Sequence, residues 1–321
     1  MRRFRLITML LLVPGLATLA TVSGCGGNEE QKTSQDGGKK AGGPGKKSTA
    51  PTAPVESTGW GTIKGKVTFD GSPPERPELT IDKNTDVCKC KPAQKRGDTK
   101  EQTWKVGGPD HGLANVVVWV RAPAGKYFKI PDDQQKRMDT VKLEQPFCAF
   151  EPHVMVLYPS YYDPATKKQL ETGQKFEVVD NATIAHNTNW TPPDSIAGGG
   201  GNVLLEPAKD GKVDSRTIPF EFAKPKNAGI EALVTFKCNI HGWMSAYARV
   251  FDHPFYGLTK GDRQNEKDQF GQYEIKEVPA GVDLDVYYWH ESFDTAAKKY
   301  EKSPIKLKKG ETLTLDLKVS K

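Results

Sequence analysis

The stretch "FKCNIHGWMS" places a thiol, an imidazole and a thioether within seven residues: Cys238, His241 and Met244, each three positions from the next. It follows a strand-type run, "EALVTF". A thiolate is a soft donor, an imidazole a borderline one and a thioether a weak soft one, a combination suited to a soft transition-metal ion. A lone Cys-x2-His is more often a buried thiol beside a core imidazole. The added methionine, the strand before it and a His-Asn pair upstream at His186 and Asn187 shift the balance towards a metal. Zinc fits less well, because methionine is a poor zinc ligand and structural zinc sites favour closed Cys/His sets.

Elements must hold these residues, and the pattern that recurs after Gly59 is alternation. "TIKGKVTF" puts Ile63, Gly65, Val67 and Phe69 on one face, and "NVVVWVR" is an apolar run of strand length. "KFEVV", "TIPFEFA", "EALVTF", "YARVF", "YEIKEV", "LDVYYW", "IKLKK" and "TLTLDLKV" continue the series, separated by Gly, Pro, Asp and Asn. Many short strands with turn signals predict an all-β fold.

Two resemblances refine this. "GTIKGKVTFDGSPP" with "LANVVVWVR" resembles the opening of a carboxypeptidase-regulatory-like, transthyretin-type β-sandwich. Its closing half is matched only later, by "GQYEIKEVPAGVDLDVYYWHE" and "SPIKLKKGETLTLDLKV". That implies one sandwich in two parts, residues 59–145 and 253–321, interrupted by a second domain at 146–252; three consecutive small modules are the alternative. The interrupting segment runs from "CAFEPHVMVLYP" through "GQKFEVVDNATIAHN" to "CNIHGWM", and it resembles a cupredoxin of the plastocyanin and amicyanin kind. The resemblance implies a Greek-key β-sandwich, inserted in or packed beside the first one, that holds one type 1 copper ion. Its ligands would be His186, Cys238, His241 and axial Met244. By the same resemblance Asn187 braces the ligand loop and aims its backbone N–H at the Cys238 sulfur. Gly242 and Trp243 would lie where an electron enters or leaves.

Cys88, Cys90 and Cys148 remain. An exported chain forms disulfides, and Cys148 paired with Cys88 or Cys90 would link the two sandwiches, leaving one thiol free. A second metal site using "CKC", Cys148 and His153 is the sharper alternative. His153, His111, His253 and His290 read as structural. Trp190 is placed at the border of the copper site, and the "GGGG" run at 198–201 reads as flexible filler.

The chain of 321 residues has room for about two domains, and 27% of it is charged. Its first residues, "MRRFRLITMLLLVPGLATLATVSGC", have a basic start, a short interrupted apolar run and small residues. This reads as a signal peptide over 1–24. "VSGC" resembles a bacterial lipobox, which implies lipidation of Cys25, a membrane anchor and a place in the cell envelope. Gly26, rather than Asp, leans to the outer membrane. Residues 25–58 hold hardly a core residue and read as a disordered tether. Removing the signal takes away three arginines and leaves a charge of about +3, with no basic stripe or nucleic-acid motif.

The expected function is single-electron carriage by an extracytoplasmic blue-copper protein between a redox donor and acceptor. The alternatives are copper storage or delivery, and an interaction module on a degenerate cupredoxin fold. An enzyme is disfavoured: no His-x-His pair or adjacent Cys-His is present, and positions 239–243 offer no second cysteine for a binuclear site.

Overall fold

The computed structural model describes residues 51, 53–229, 231–262, 264–293, 297–300 and 304–321. The signal peptide, Cys25 and most of the tether lie outside the described residues. The tether stops short of its expected end: Ala53–Pro54 pairs in parallel with Lys126–Tyr127, and Val55 is buried.

The fold is all-β. Strand Gly59–Phe69 turns Gly61, Ile63, Val67 and Phe69 inward, close to the face the alternation predicts. It pairs antiparallel with Gln272–Ala280 and parallel with Thr312–Thr314 and Leu317–Val319. Strand Val117–Arg121 pairs with Tyr256–Leu258 and Asp285–Trp289. Early and late parts of the chain therefore share sheets. Ile63, Val118, Val120, Phe255, Ile275 and Val286 belong to the core between them.

The intervening chain builds two further sheets around a second core. One holds Val154–Leu157, Ser245–Val250, Ala232–Lys237, His186–Thr191 and Gly201–Leu205; the other holds Thr140–Gln145, Lys175–Asp180 and Asp214–Thr217. Leu143, Phe176, Val178, Val234 and Phe236 fill the core. Thr140–Gln145 pairs with Lys175–Asp180 over its whole length and buries Leu143 there. That strand goes with the inner sheets, so the expected boundary at 146 falls too late in the chain.

"NVVVWVR" is apolar throughout because both faces of its strand are covered. Val118 and Val120 face the first core, whereas Val117 and Trp119 join Val154, Phe251 and Trp289 in a third cluster between the two sets of sheets. Arg249 lies over the Trp119 ring at 4.7 Å, and Arg121 and Arg249 both reach Glu231.

Three expectations change. "TIPFEFA" is not one strand: Asp214–Thr217 ends before Pro219, and Phe220–Ala223 forms a 3-10 turn. "IKLKK" contributes a single bridge, Ile305 to Leu284. The glycine run is packed at its two ends, whereas Gly199 between them is exposed with open space about it. A Cβ on Gly198 would stand 2.2 Å from the Glu221 carbonyl oxygen, and one on Gly201 would stand 2.2 Å from the Trp190 ring.

The segment after the first long strand, to which no element was assigned, carries two short helices, Thr85–Cys88 and Lys91–Arg96. Helices of four and six residues complete too few turns to show a hydrophobic period. Leu79, Ile81 and Cys88 from this segment pack into the inner core, and Cys88 is joined to Cys148 by a disulfide.

Candidate metal centre

Two antiparallel strands present the ligand loop. Ala232–Lys237 leads into it and Ser245–Val250 leads out, in register from Ala232 opposite Val250 to Lys237 opposite Ser245. The loop closes on itself, with the Cys238 N–H donating to the Met244 carbonyl at 3.4 Å and the Met244 N–H to that of His241 at 3.0 Å. His186 begins the neighbouring strand His186–Thr191, whose far end pairs with Ala232–Lys237. His186, Cys238, His241 and Met244 all lie at this end and are at most 2% exposed.

Asn187 fastens the loop. Its Oδ1 accepts from the N–H groups of Asn239 at 2.8 Å and Ile240 at 3.2 Å, and from the Cys238 thiol at 3.4 Å. Its own amide is held by Asn202 at 2.6 Å. The backbone N–H that meets the Cys238 sulfur, at 3.4 Å, belongs to His241.

His241 is oriented by the segment with the short helices. Its Nε2–H donates to Asn84 Oδ1 at 2.9 Å, which leaves the Nδ1 lone pair directed towards Cys238 Sγ, 3.9 Å away. That separation is below the roughly 4.3 Å sum of ordinary metal–sulfur and metal–nitrogen bonds, so one ion can touch both atoms. Burial, reinforced by the charges of His186 and Lys83, pushes the ring down to about 4, so it stays neutral and able to ligate. Asn84 itself has φ 46°, a left-handed backbone that Asn tolerates, and this conformation opens the helix Thr85–Cys88. Lys83 reaches the Ile240 carbonyl at 3.2 Å.

His186 is held differently. Its Nδ1 faces both carboxylate oxygens of buried Asp180, at 3.1 and 3.2 Å, while its Nε2 is buried and has no hydrogen-bond partner. In the neutral ring Nε2 then carries the lone pair. A carboxylate behind one nitrogen and a free lone pair on the other is the usual setting of a metal-binding imidazole. The two histidine rings lie 4.7 Å apart. Asp180 was missed from the sequence; as the last residue of Lys175–Asp180 it also accepts the N–H groups of Ala182 and His186, and only the loop's closure shows this.

Among the described residues, one set of three Cys, His or carboxylate donors has every ligand atom within 4.8 Å of the others: Cys88, Cys148 and His241. The disulfide thus lies against the imidazole; Cys238 and His186 both stand outside that set, and the expected trio His186, Cys238 and His241 is not drawn together as closely. Cys90 is free and half-buried. Trp243 donates its Nε1–H to the Cys148 carbonyl at 3.1 Å, and Gly242 is exposed.

The other singled-out residues belong elsewhere. Trp190, half-buried, packs on Phe222 against the inner core and pairs with Phe236, two residues before Cys238. His153 is clamped between Glu291 at 2.6 Å and the Ser245 carbonyl at 3.1 Å; burial opposes its charge, but Glu291 raises it overall. His290 bonds Thr103 and Ser292, His253 accepts the Phe255 N–H, and His111 bonds Gly71. No protein-family model, curated protein or solved structure matches the chain.

Proposed function

We propose that the inner sheets are a cupredoxin holding one type 1 copper ion, and that the chain is an envelope lipoprotein that carries single electrons between redox partners. One observation carries this reading: a buried thiol, two buried imidazoles and a buried thioether share one end of the sheet, with the His241 Nδ1 facing the Cys238 sulfur at 3.9 Å and the His186 Nε2 left without a hydrogen-bond partner. Copper bound there would supply one-electron exchange between its two oxidation states.

The chain's own residues do the rest. Cys238 and the two imidazoles supply strong donors, and Met244 a weak one. Asn187 holds the backbone of Asn239 and Ile240, so the loop changes little as charge changes. Asp180 and Asn84 fix which nitrogen each histidine presents. A centre with all donors buried and braced suits electron carriage better than metal delivery, which requires ligands that exchange easily. Trp243 and exposed Gly242 offer the route outward beside His241. We read the flanking sheets as a regulatory-like sandwich that supports this centre without turning over a substrate.

Loading the disulfide-intact chain with one equivalent of Cu(II) should give intense visible absorption, a narrow copper hyperfine splitting in EPR and reversible one-electron cycling. Cys238→Ser should abolish the colour, and Met244→Gln should keep copper while shifting the potential. A spectrum unchanged by Cys238→Ser would sink the assignment. Colourless Cu(II), readily lost to a chelator, would point to copper handling instead.

A further inference from the structure

We infer a second metal site, formed when the Cys88–Cys148 disulfide is reduced, in which the two thiolates and the His241 imidazole bind Cu(I). The three ligand atoms already lie within 4.8 Å of one another, and all three residues are buried. Two thiolates and an imidazole are a soft donor set, the kind that selects Cu(I). Bound at roughly 2.3 Å from sulfur and 2.0 Å from nitrogen, such an ion holds its ligand atoms about 3.5–4 Å apart. The sulfurs must therefore separate once their bond is broken. A cavity of about 130 Å³ lies on the Cys148 side, lined also by Phe150, Trp243 and Met244, and Cys148 is the half of the pair that borders it.

The three residues are also held together without the disulfide. Asn84, which opens the helix ending in Cys88, bonds His241, and Trp243, in the ligand loop, bonds the Cys148 carbonyl. Ile81 and Phe150, on either side, are anchored in the inner core. Reduction thus leaves two thiols facing the ring.

The chemistry balances with a dithiol reductant. Its thiolate attacks one sulfur of the Cys88–Cys148 bond, that bond breaks, and a mixed disulfide forms. The reductant's second thiol then closes its own disulfide and releases the chain. Two electrons and two protons pass to the chain, giving two thiols, and the reductant becomes a disulfide. Cu(I) then displaces the two thiol protons as two copper–sulfur bonds form, with no change in copper's oxidation state. His241 stands between this pair and Cys238, so the state of the disulfide decides how many sulfurs compete for its side of the molecule.

The site does not depend on the type 1 reading, and the test separates the two. In the full chain carrying Cys25→Ser, Cys90→Ser and Cys238→Ser, Cys88 and Cys148 are the two cysteines that remain. After reduction with dithiothreitol and its anaerobic removal, Cu(I) is titrated against a colorimetric Cu(I) chelator. The reduced chain should bind one Cu(I) and release two protons, at least 100-fold more tightly than the disulfide form. His241→Ala in that background should weaken binding at least 10-fold. The unsubstituted chain, as a check against misfolded variants, should take up one more Cu(I) reduced than oxidised. Equal binding in both redox states, indifference to His241→Ala, or loss of the β-sheet circular dichroism on reduction would each overturn the proposal. None of these outcomes bears on the Cu(II) spectrum of the disulfide-intact chain.

Discussion

Asn187 shows how much one side chain can do at this site. It accepts two backbone N–H groups from the ligand loop, at exposed Asn239 and half-buried Ile240, and Asn187→Ala removes both hydrogen bonds. A loss of about 1–3 kcal/mol is expected. Urea unfolding would measure it, and amide exchange at Asn239 and Ile240 should quicken in the same variant; unchanged exchange would show that the loop holds itself. The proposed ligands and Asn187 could be picked out as candidates because short-range spacing and the His-Asn pair carry them. Asp180 and Asn84 were not, since each acts through a partner brought close by the fold. Asn84 lies 157 positions from His241, and nothing local marks it.

At the scale of elements, the segment with the short helices is a cover fixed across the ligand loop. The disulfide closes a loop of 60 residues, so Cys88→Ser with Cys148→Ser should cost about 4 kcal/mol, measured as the change in unfolding free energy in urea. A cost below 1 kcal/mol would mean that Ile81 and the Asn84 hydrogen bond suffice. The strands were largely readable from alternation and from apolar runs bounded by turns. "TIPFEFA" misled because Pro219 interrupts an otherwise strand-like composition. Thr140–Gln145, where no strand was expected, fell on the wrong side of the boundary at 146 because nothing local says which neighbour it pairs with. The pairing is decided by where Leu143 finds a core.

For the whole molecule, buried histidines set the response to acid. Burial pushes His253 down to about 3; burial above all also pushes His241 and His290 down to about 4. Unfolded imidazoles titrate near 6.5, so below about that pH the unfolded chain takes up protons that the folded chain refuses. Stability should fall from pH 6.5 towards 4. Each such histidine contributes about 1.4 kcal/mol per pH unit. Asp252, pushed up to about 6 by burial, opposes one of them by taking up its proton only when folded. His153, raised overall by Glu291 against its burial, lends support that is complete below 6.5 and is lost as pH rises through its folded value. Urea midpoints of the metal-free chain from pH 7 to 4 should decline, and His253→Asn, whose amide oxygen can still accept the Phe255 N–H, should flatten the decline. A flat profile in the parent chain would mean that these rings reach water.

The third cluster gives the strand Val117–Arg121 a further consequence. Its two partners, Tyr256–Leu258 and Asp285–Trp289, and the late neighbours of Gly59–Phe69 are synthesised after the sheets around the ligand loop. The sheets around the ligand loop are complete in sequence by Val250, yet they have no finished surface to dock on until the C-terminal strands arrive. During synthesis the apolar face of Val117 and Trp119 must therefore wait uncovered while more than a hundred residues are added. A holding partner that shields extended apolar strands would act in that interval, and a chain stopped near residue 255 should be captured and degraded rather than accumulate as a stable half.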